Sequence, residues 1–193
     1  MVLTKQRYTF NDWLTVPDDG RRYELLHGEP VEMAAPTNNH GELAEELYMW
    51  LRQAQSAGYG RARLGPVAVL LDPQQRRENA LNPDVFFIRA GREGISKADA
   101  IEGVPDLIIE ILSPTTRDRD LPAGEKWRMY EGFGVPFYWL VDPELRTVRQ
   151  YVLSGGRFTE SATLRAGQSL TSPLFPGGSL SVADLFSVMH EPG

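Results

Sequence analysis

The ten residues PDLIIEILSP, Pro105 to Pro114, constrain the fold more than any other part of the chain. In a strand, successive side chains point to opposite faces. Leu107, Ile109 and Ile111 therefore line one face, and Ile108, Glu110 and Leu112 the other. Apolar residues on both faces mean a strand covered on both sides, an internal strand of a layered domain. One carboxylate, Glu110, interrupts that pattern. An unpaired ion in such surroundings costs several kcal/mol, so the fold has to bring it a cation, a metal ion or a proton.

Two other residues answer that demand. Asp84 opens the strand-like run PDVFFIR, and on the two-residue period it shares a face with Phe86 and Ile88. It stands at the start of its strand, whereas Glu110 stands near the end of its own. If the two strands lie antiparallel side by side, start meets end and the carboxylates converge. Like charges that close raise each other's proton affinity unless a cation intervenes. Converging carboxylate oxygens suit a hard ion such as Mg²⁺ or Mn²⁺, with water and a substrate phosphate completing the coordination. Lys126 falls in the stretch LPAGEKWRMYEGFG, which reads as a helix with Pro122 in its first turn and Gly134 just past its end. Its helical neighbours Pro122, Tyr130 and Phe133 place it on the apolar stripe, opposite Glu125, Arg128 and Gly132. An inward lysine needs an acid, and an inward acid needs a base.

Around this nucleus the chain reads as an α/β or α+β domain. FNDWLT gives a short helical turn, and RYELLHGEPVEMAA a hairpin folded at His27-Gly28-Glu29. In the following stretch Leu43, Leu47, Trp50, Leu51 and Ala54 recur at helical spacing. Asn39 with Glu42 makes a capping box for that helix, and Gly58 ends it. PVAVLLD and PDVFFIR read as strands, and residues 90–105 as a loop. VPFYWLVD and TVRQYVL are two more strands; RFTESATLR, SLTSPL and a short helix near VADLFSVM form an added antiparallel edge and a cap.

Composition narrows the chemistry. With no cysteine, disulfides, thiolate nucleophiles and zinc–thiolate centres are excluded, and three histidines make an ordinary zinc site improbable. The formal net charge of −6 argues against a protein coated in nucleic acid, while leaving room for a local basic groove. MVLTKQRYTF has no apolar stretch of signal-peptide length, and no segment approaches the roughly 20 apolar residues needed to cross a bilayer, so the expectation is a cytoplasmic protein with no membrane partner. There is no GxSxG elbow, Walker loop, HExxH or dinucleotide fingerprint.

The ordered series RYELLHGEPVEMAAPTNNHGEL, NPDVFFI, PDLIIEILSPTTRDRD and EKWRMYEGFGVPFYWLVDP resembles the Uma2 family of candidate endonucleases, in the PD-(D/E)XK, restriction-endonuclease-like superfamily. The resemblance spans roughly Tyr23 to Pro143. It implies an α/β restriction-endonuclease-like core, a central mixed sheet flanked by helices, with additional carboxy-terminal antiparallel strands. The corresponding single domain would have its core at about 20–153 and its appended strands and short helix at 154–193. The implied activity is divalent-metal-dependent hydrolysis of phosphodiester bonds, in DNA rather than RNA, by a protein that pairs as a homodimer to cut both strands. Asp84 takes the superfamily's Asp position and Glu110 its Asp/Glu position, with the backbone carbonyl of Ile111 as a third metal ligand. Two residues later, where a lysine is expected, Leu112 stands instead, and Lys126 is the migrated replacement. Glu24 and His40 match further polar positions and would complete the catalytic set.

Each assignment has a plainer alternative. Glu110 could be bridged to an arginine, and Asp84 could be a turn residue after Pro83. Lys126 could run its stem along the core and expose its charge. His40 could be an idle helix-terminus residue, although free backbone N–H groups there suit an anion. Glu24 could face solvent, and Asp120 could be a helix N-cap. TTRDRD could be a solvated loop, yet Arg117 and Arg119 are placed to meet a phosphate backbone, with Arg61, Arg63, Arg76 and Arg77 as weaker additions. Trp127, Tyr138 and Trp139 read as core. The rival to an enzyme is a catalytically inactive nuclease-fold module that binds nucleic acid or a protein, and a hydrolase of smaller phosphoesters stands third.

Overall fold

The computed structural model describes residues 7–16 and 19–191. Residues 1–6, which begin the stretch without signal-peptide character, lie outside the described residues, as do 17–18 and 192–193. In chain order the elements are α1 (Phe10–Trp13), β1 (Arg22–Leu26), β2 (Glu29–Met33), α2 (Asn38–Ser56), β3 (Gly60–Leu64), β4 (Val69–Leu70), β5 (Ala80–Leu81), β6 (Val85–Arg89), β7 (Ile101–Glu102) and β8 (Leu107–Ile111). There follow α3 (Arg117–Asp120), α4 (Glu125–Phe133), β9 (Phe137–Asp142), β10 (Thr147–Ser154), β11 (Arg157–Leu164), β12 (Ser169–Thr171), β13 (Ser179–Ser181) and α5 (Val182–Ser187).

The main sheet has the order β11-β10-β9-β8-β6-β3. Only β8 and β9 run parallel within it, and the helical crossover through α3 and α4 is the connection such a pair requires. All other neighbours are antiparallel, so the sheet is mixed. A smaller sheet, β2-β1-β5-β4-β7, brings the amino-terminal hairpin beside it.

The alternation in β8 sorts the two cores. Leu107, Ile109 and Ile111 pack with Leu43, Leu47, Trp50 and Leu51 of α2 and with Leu185 and Phe186 of α5. Ile108 and Leu112 pack instead with Trp127, Met129 and Tyr130 of α4 and with Leu26 of β1. Every residue of β8 is buried, as the two-sided apolar pattern requires. Each fully buried leucine or isoleucine contributes about 1.5–3 kcal/mol, so the two layers hold the strand from both sides.

Several local expectations are corrected. Thr37, not Asn39, caps α2: its side chain accepts from the backbone N–H of His40, while the Asn39 side chain exchanges hydrogen bonds with the backbone of His190. The helix expected to start around Pro122 begins at Glu125, and Pro122 lies outside it. RARL, Arg61 and Arg63 included, forms strand β3 at the sheet edge. Within 90–105 lie a short 3-10 helix, Glu93–Ile95, and β7. Of PVAVLLD only Val69–Leu70 is strand. No helix among the described residues is long and apolar enough to cross a membrane.

Candidate active site

The register of the antiparallel β6–β8 pair sets Val85 opposite Ile109 and Phe86 opposite Ile108. One step further along the same ladder Asp84 faces Glu110. The Oδ2 of Asp84 closes that end of the pair by accepting a hydrogen bond of 2.7 Å from the backbone N–H of Ile111. The same oxygen lies 3.2 Å from Nε2 of His40, which the first turn of α2 delivers from the opposite layer. Asp84 therefore stands where the sheet and both helical layers meet.

The partner of Glu110 is Lys126, which is fully buried. Its Nζ lies 2.8 Å from Oε1 of Glu110, 3.1 Å from Oε1 of Glu24 and 3.6 Å from Oδ1 of Asp120. The first two are hydrogen-bond distances and the third is not. Tyr130, one helical turn after Lys126, donates its hydroxyl to the same Oε1 of Glu110 at 2.7 Å. Glu24 is only 1% exposed. The expectation that it could face solvent fails because it lies on the Leu26 side of β1, under α4, where its Oε1 also accepts from the backbone N–H of Asn82. Asp120 closes α3 rather than capping a helix start.

Four carboxylates and one ammonium give this cluster an excess of negative charge. Burial pushes Glu110 well above the usual carboxylate range, against the pull of Lys126 and with the help of Asp84, Asp120 and Glu24. Burial likewise raises Asp120, again opposed by Lys126. For Lys126 burial disfavours the charged form, but Glu110, Glu24 and Asp120 outweigh it and lift the amine well above its ordinary value. Burial and the nearby Glu110 keep Tyr130 a phenol, hence a donor. Burial works against a charge on His40, yet the Asp84 carboxylate prevails and raises its pKa.

The surplus charge leaves acceptors unused. Oε2 of Glu24 and Oδ1 of Asp120 are buried without a hydrogen-bond partner among the described residues. Asp84 Oδ1 and Glu110 Oε2 likewise meet no donor among the described residues, and both residues line a cleft of about 260 Å³. Among the described residues no three His, Asp or Glu side chains converge as a ready-made metal cage. Two carboxylates with free oxygens on an open cleft nevertheless fit an ion that keeps much of its water, as Mg²⁺ does.

The arginines expected to meet phosphate are otherwise engaged. Arg117 lies 2.7 Å from the buried Asp142 and 3.6 Å from Glu144. Arg119 reaches the sulfur of Met33 at 3.5 Å, and its Nη1 lies 3.8 Å from Glu24. Trp127, Tyr138 and Trp139 are core residues. Of Asp84, Glu110, Ile111, Lys126, His40 and Glu24, the structure brings all six together. Tyr130 and the buried Asp120 are additions. The i+4 spacing from Lys126 was the available signal for Tyr130; for Asp120 the sequence offered none beyond its place in a charged run.

No functionally curated protein matches the chain. A solved structure described as a putative nuclease belonging to DUF820, from Anabaena variabilis, superposes with a TM-score of 0.69 at 21% identity, over 93% of this chain and 97% of that one. The two share an architecture, a mixed sheet flanked by helices. A family model described as "Uma2: Putative restriction endonuclease" matches residues 8–183, and the chain belongs to the Uma2 family.

Proposed function

We propose that the protein is a divalent-metal-dependent endonuclease that hydrolyses phosphodiester bonds, with DNA as its substrate. One observation supports this above the rest: Asp84 and Glu110 face each other across neighbouring strands, and Lys126 sits 2.8 Å from Glu110. Asp84 Oδ1, Glu110 Oε2 and the backbone carbonyl of Ile111 would hold Mg²⁺ or Mn²⁺. When bound, such an ion supplies the charge that acidifies a water and polarises the phosphoryl oxygens.

The remaining roles fall to the chain itself. Lys126, held as an ammonium by three carboxylates, does not take a proton from water. It offsets charge developing on the phosphoryl oxygens and orients the attacking water. Tyr130 fixes the Glu110 carboxylate, leaving its second oxygen free. His40 fixes Asp84 in the same way. Glu24 and Asp120 position the amine. In this proposal the whole chain forms one catalytic unit.

Plasmid and oligonucleotide DNA incubated with Mg²⁺, Mn²⁺ or chelator provide the test. Cleavage should require the metal and should fall at least about 100-fold in Asp84→Asn and in Lys126→Gln, the scale on which a transition-state donor acts. Circular dichroism of each variant separates lost chemistry from lost fold. Absence of cleavage in every metal, with DNA binding retained, would replace the enzyme by a binding module.

A further inference from the structure

The carboxylates do not stand on an open face. Glu110 and Lys126 are buried, and Asp84 keeps only 20% of its side chain exposed, at the cleft described above. That cleft does not end there. Arg22, Pro36, His40 and Asp84 also line a second depression of about 180 Å³, bounded further on by Leu64, Pro66 and Asn82. Anything long enough to occupy both depressions must pass Asp84. The shared wall therefore defines a track with Asp84 at the junction of the two depressions and Glu110 on the wall of the first.

Charge along this track is sparse. Arg117 is bound to Asp142, and Arg119 to Met33 and Glu24. Lys126 is neutralised by three acids. Arg22 alone among the lining residues presents a guanidinium with no ion-pair or hydrogen-bond partner among the described residues, and it borders both depressions. Proteins that hold duplex DNA commonly neutralise about 6–10 phosphates. Here one free cation among the described residues lines the track, in a chain of net charge −6. A duplex is also stiff, with a persistence length of about 150 base pairs, so bringing a paired strand down to recessed groups costs deformation energy. A single strand bends freely. Met33, Ala34 and Ala35 give an unstacked sugar or base an apolar wall to lie against.

We infer that the track takes a single-stranded nucleic acid segment, threaded through both depressions past Asp84, and that Arg22 grips a phosphate next to the scissile one. The cleavage half of this inference rests on the nuclease reading, but the binding half stands alone. Arg22 is a binding residue; the guanidinium neutralises one backbone charge and fixes the register of the strand.

Binding is read without turnover, by fluorescence anisotropy of labelled dT12, U12 and a 12-base-pair duplex with the full chain in chelator. Cleavage is read separately on the same oligonucleotides and on bis(p-nitrophenyl) phosphate. The expected result is single-strand binding at least tenfold tighter than duplex binding, with dT12 and U12 showing whether the sugar is distinguished. Arg22→Ala should weaken single-strand binding about tenfold and reduce the slope of log affinity against log salt by about 0.7, the share of one phosphate on a single strand. It should raise KM for the oligonucleotide more than it lowers kcat, and Arg22→Lys should restore part of the loss. Duplex binding equal to or tighter than single-strand binding overturns the inference, as does an Arg22→Ala variant with unchanged affinity. If no substrate is cleaved in any metal yet Arg22-dependent strand binding persists, the nuclease reading fails and the track stands.

Discussion

At the scale of single residues, Glu110 and Lys126 explain each other. A buried ion pair gains little over a well-packed apolar pair, but removing one partner strands the other, at roughly 3–5 kcal/mol. The pair is therefore poor as a stabilising device, while its surplus acid leaves free oxygens on a cleft. That a carboxylate in an aliphatic strand needs a partner was legible from PDLIIEILSP alone. The identity of the partner was legible only in part, because Lys126 could be placed on an inward stripe but not at a distance. His40 gives a pH-dependent consequence. Its folded pKa lies above the ordinary 6.5, so the stabilisation it draws from Asp84 is complete below pH 6.5 and is lost as the pH rises through the folded value. In chelator, His40→Gln should cost about 1 kcal/mol at pH 5.5 and less at pH 8.5. Urea unfolding at the two pH values measures this, and an equal cost at both would contradict it.

At the scale of elements, helix starts decide where the reactive groups sit. Thr37 caps α2 and so fixes the turn that presents His40. Gly124 precedes α4 and fixes the position of Lys126 two residues later. A Cβ on Gly124 would collide with the backbone oxygens of Arg119 and Asp118. Neither is the end of a flexible side chain, so α3 and α4 must separate. Gly124→Ala should cost about 1–3 kcal/mol, in the range of overpacking, and should lower cleavage more than its stability loss explains, because Lys126 shifts with α4. Thermal unfolding and cleavage at a temperature where the variant is folded check the two parts. Caps are short-range and ambiguous in sequence: Thr37, Asn38 and Asn39 are all capable residues, and packing against the carboxy-terminal segment claimed Asn39. The edge strand β3 is not legible in the sequence because RARL carries charges where an internal strand would carry none, as an edge strand can.

At the scale of the molecule, the carboxy-terminal segment is part of the support for the site. Val182, Leu185 and Phe186 of α5 join the layer that α2 builds over β8, and β11 extends the main sheet. Leu185 is fully buried. Leu185→Ala should lower stability by about 2–5 kcal/mol, seen as a lower urea midpoint, while the folded fraction keeps its cleavage rate, since no reactive group touches that side chain.

Local chemistry was sufficient for the α/β class, the two-sided strand, the α2 stripe and the suspicion attached to Asp84, Glu110 and Lys126. Periodicity depends on near neighbours, and burial patterns follow from it. The Asp84–Ile111 closure, the burial of Glu24 beneath α4, the Tyr130 bond and the commitment of Arg117 and Arg119 to acids rather than solvent were decided only by tertiary structure. Each of these depends on which distant acid or base arrives within a few ångströms. That distance is set by the register of β6 on β8 and by the packing of helices across them, and no local pattern specifies either.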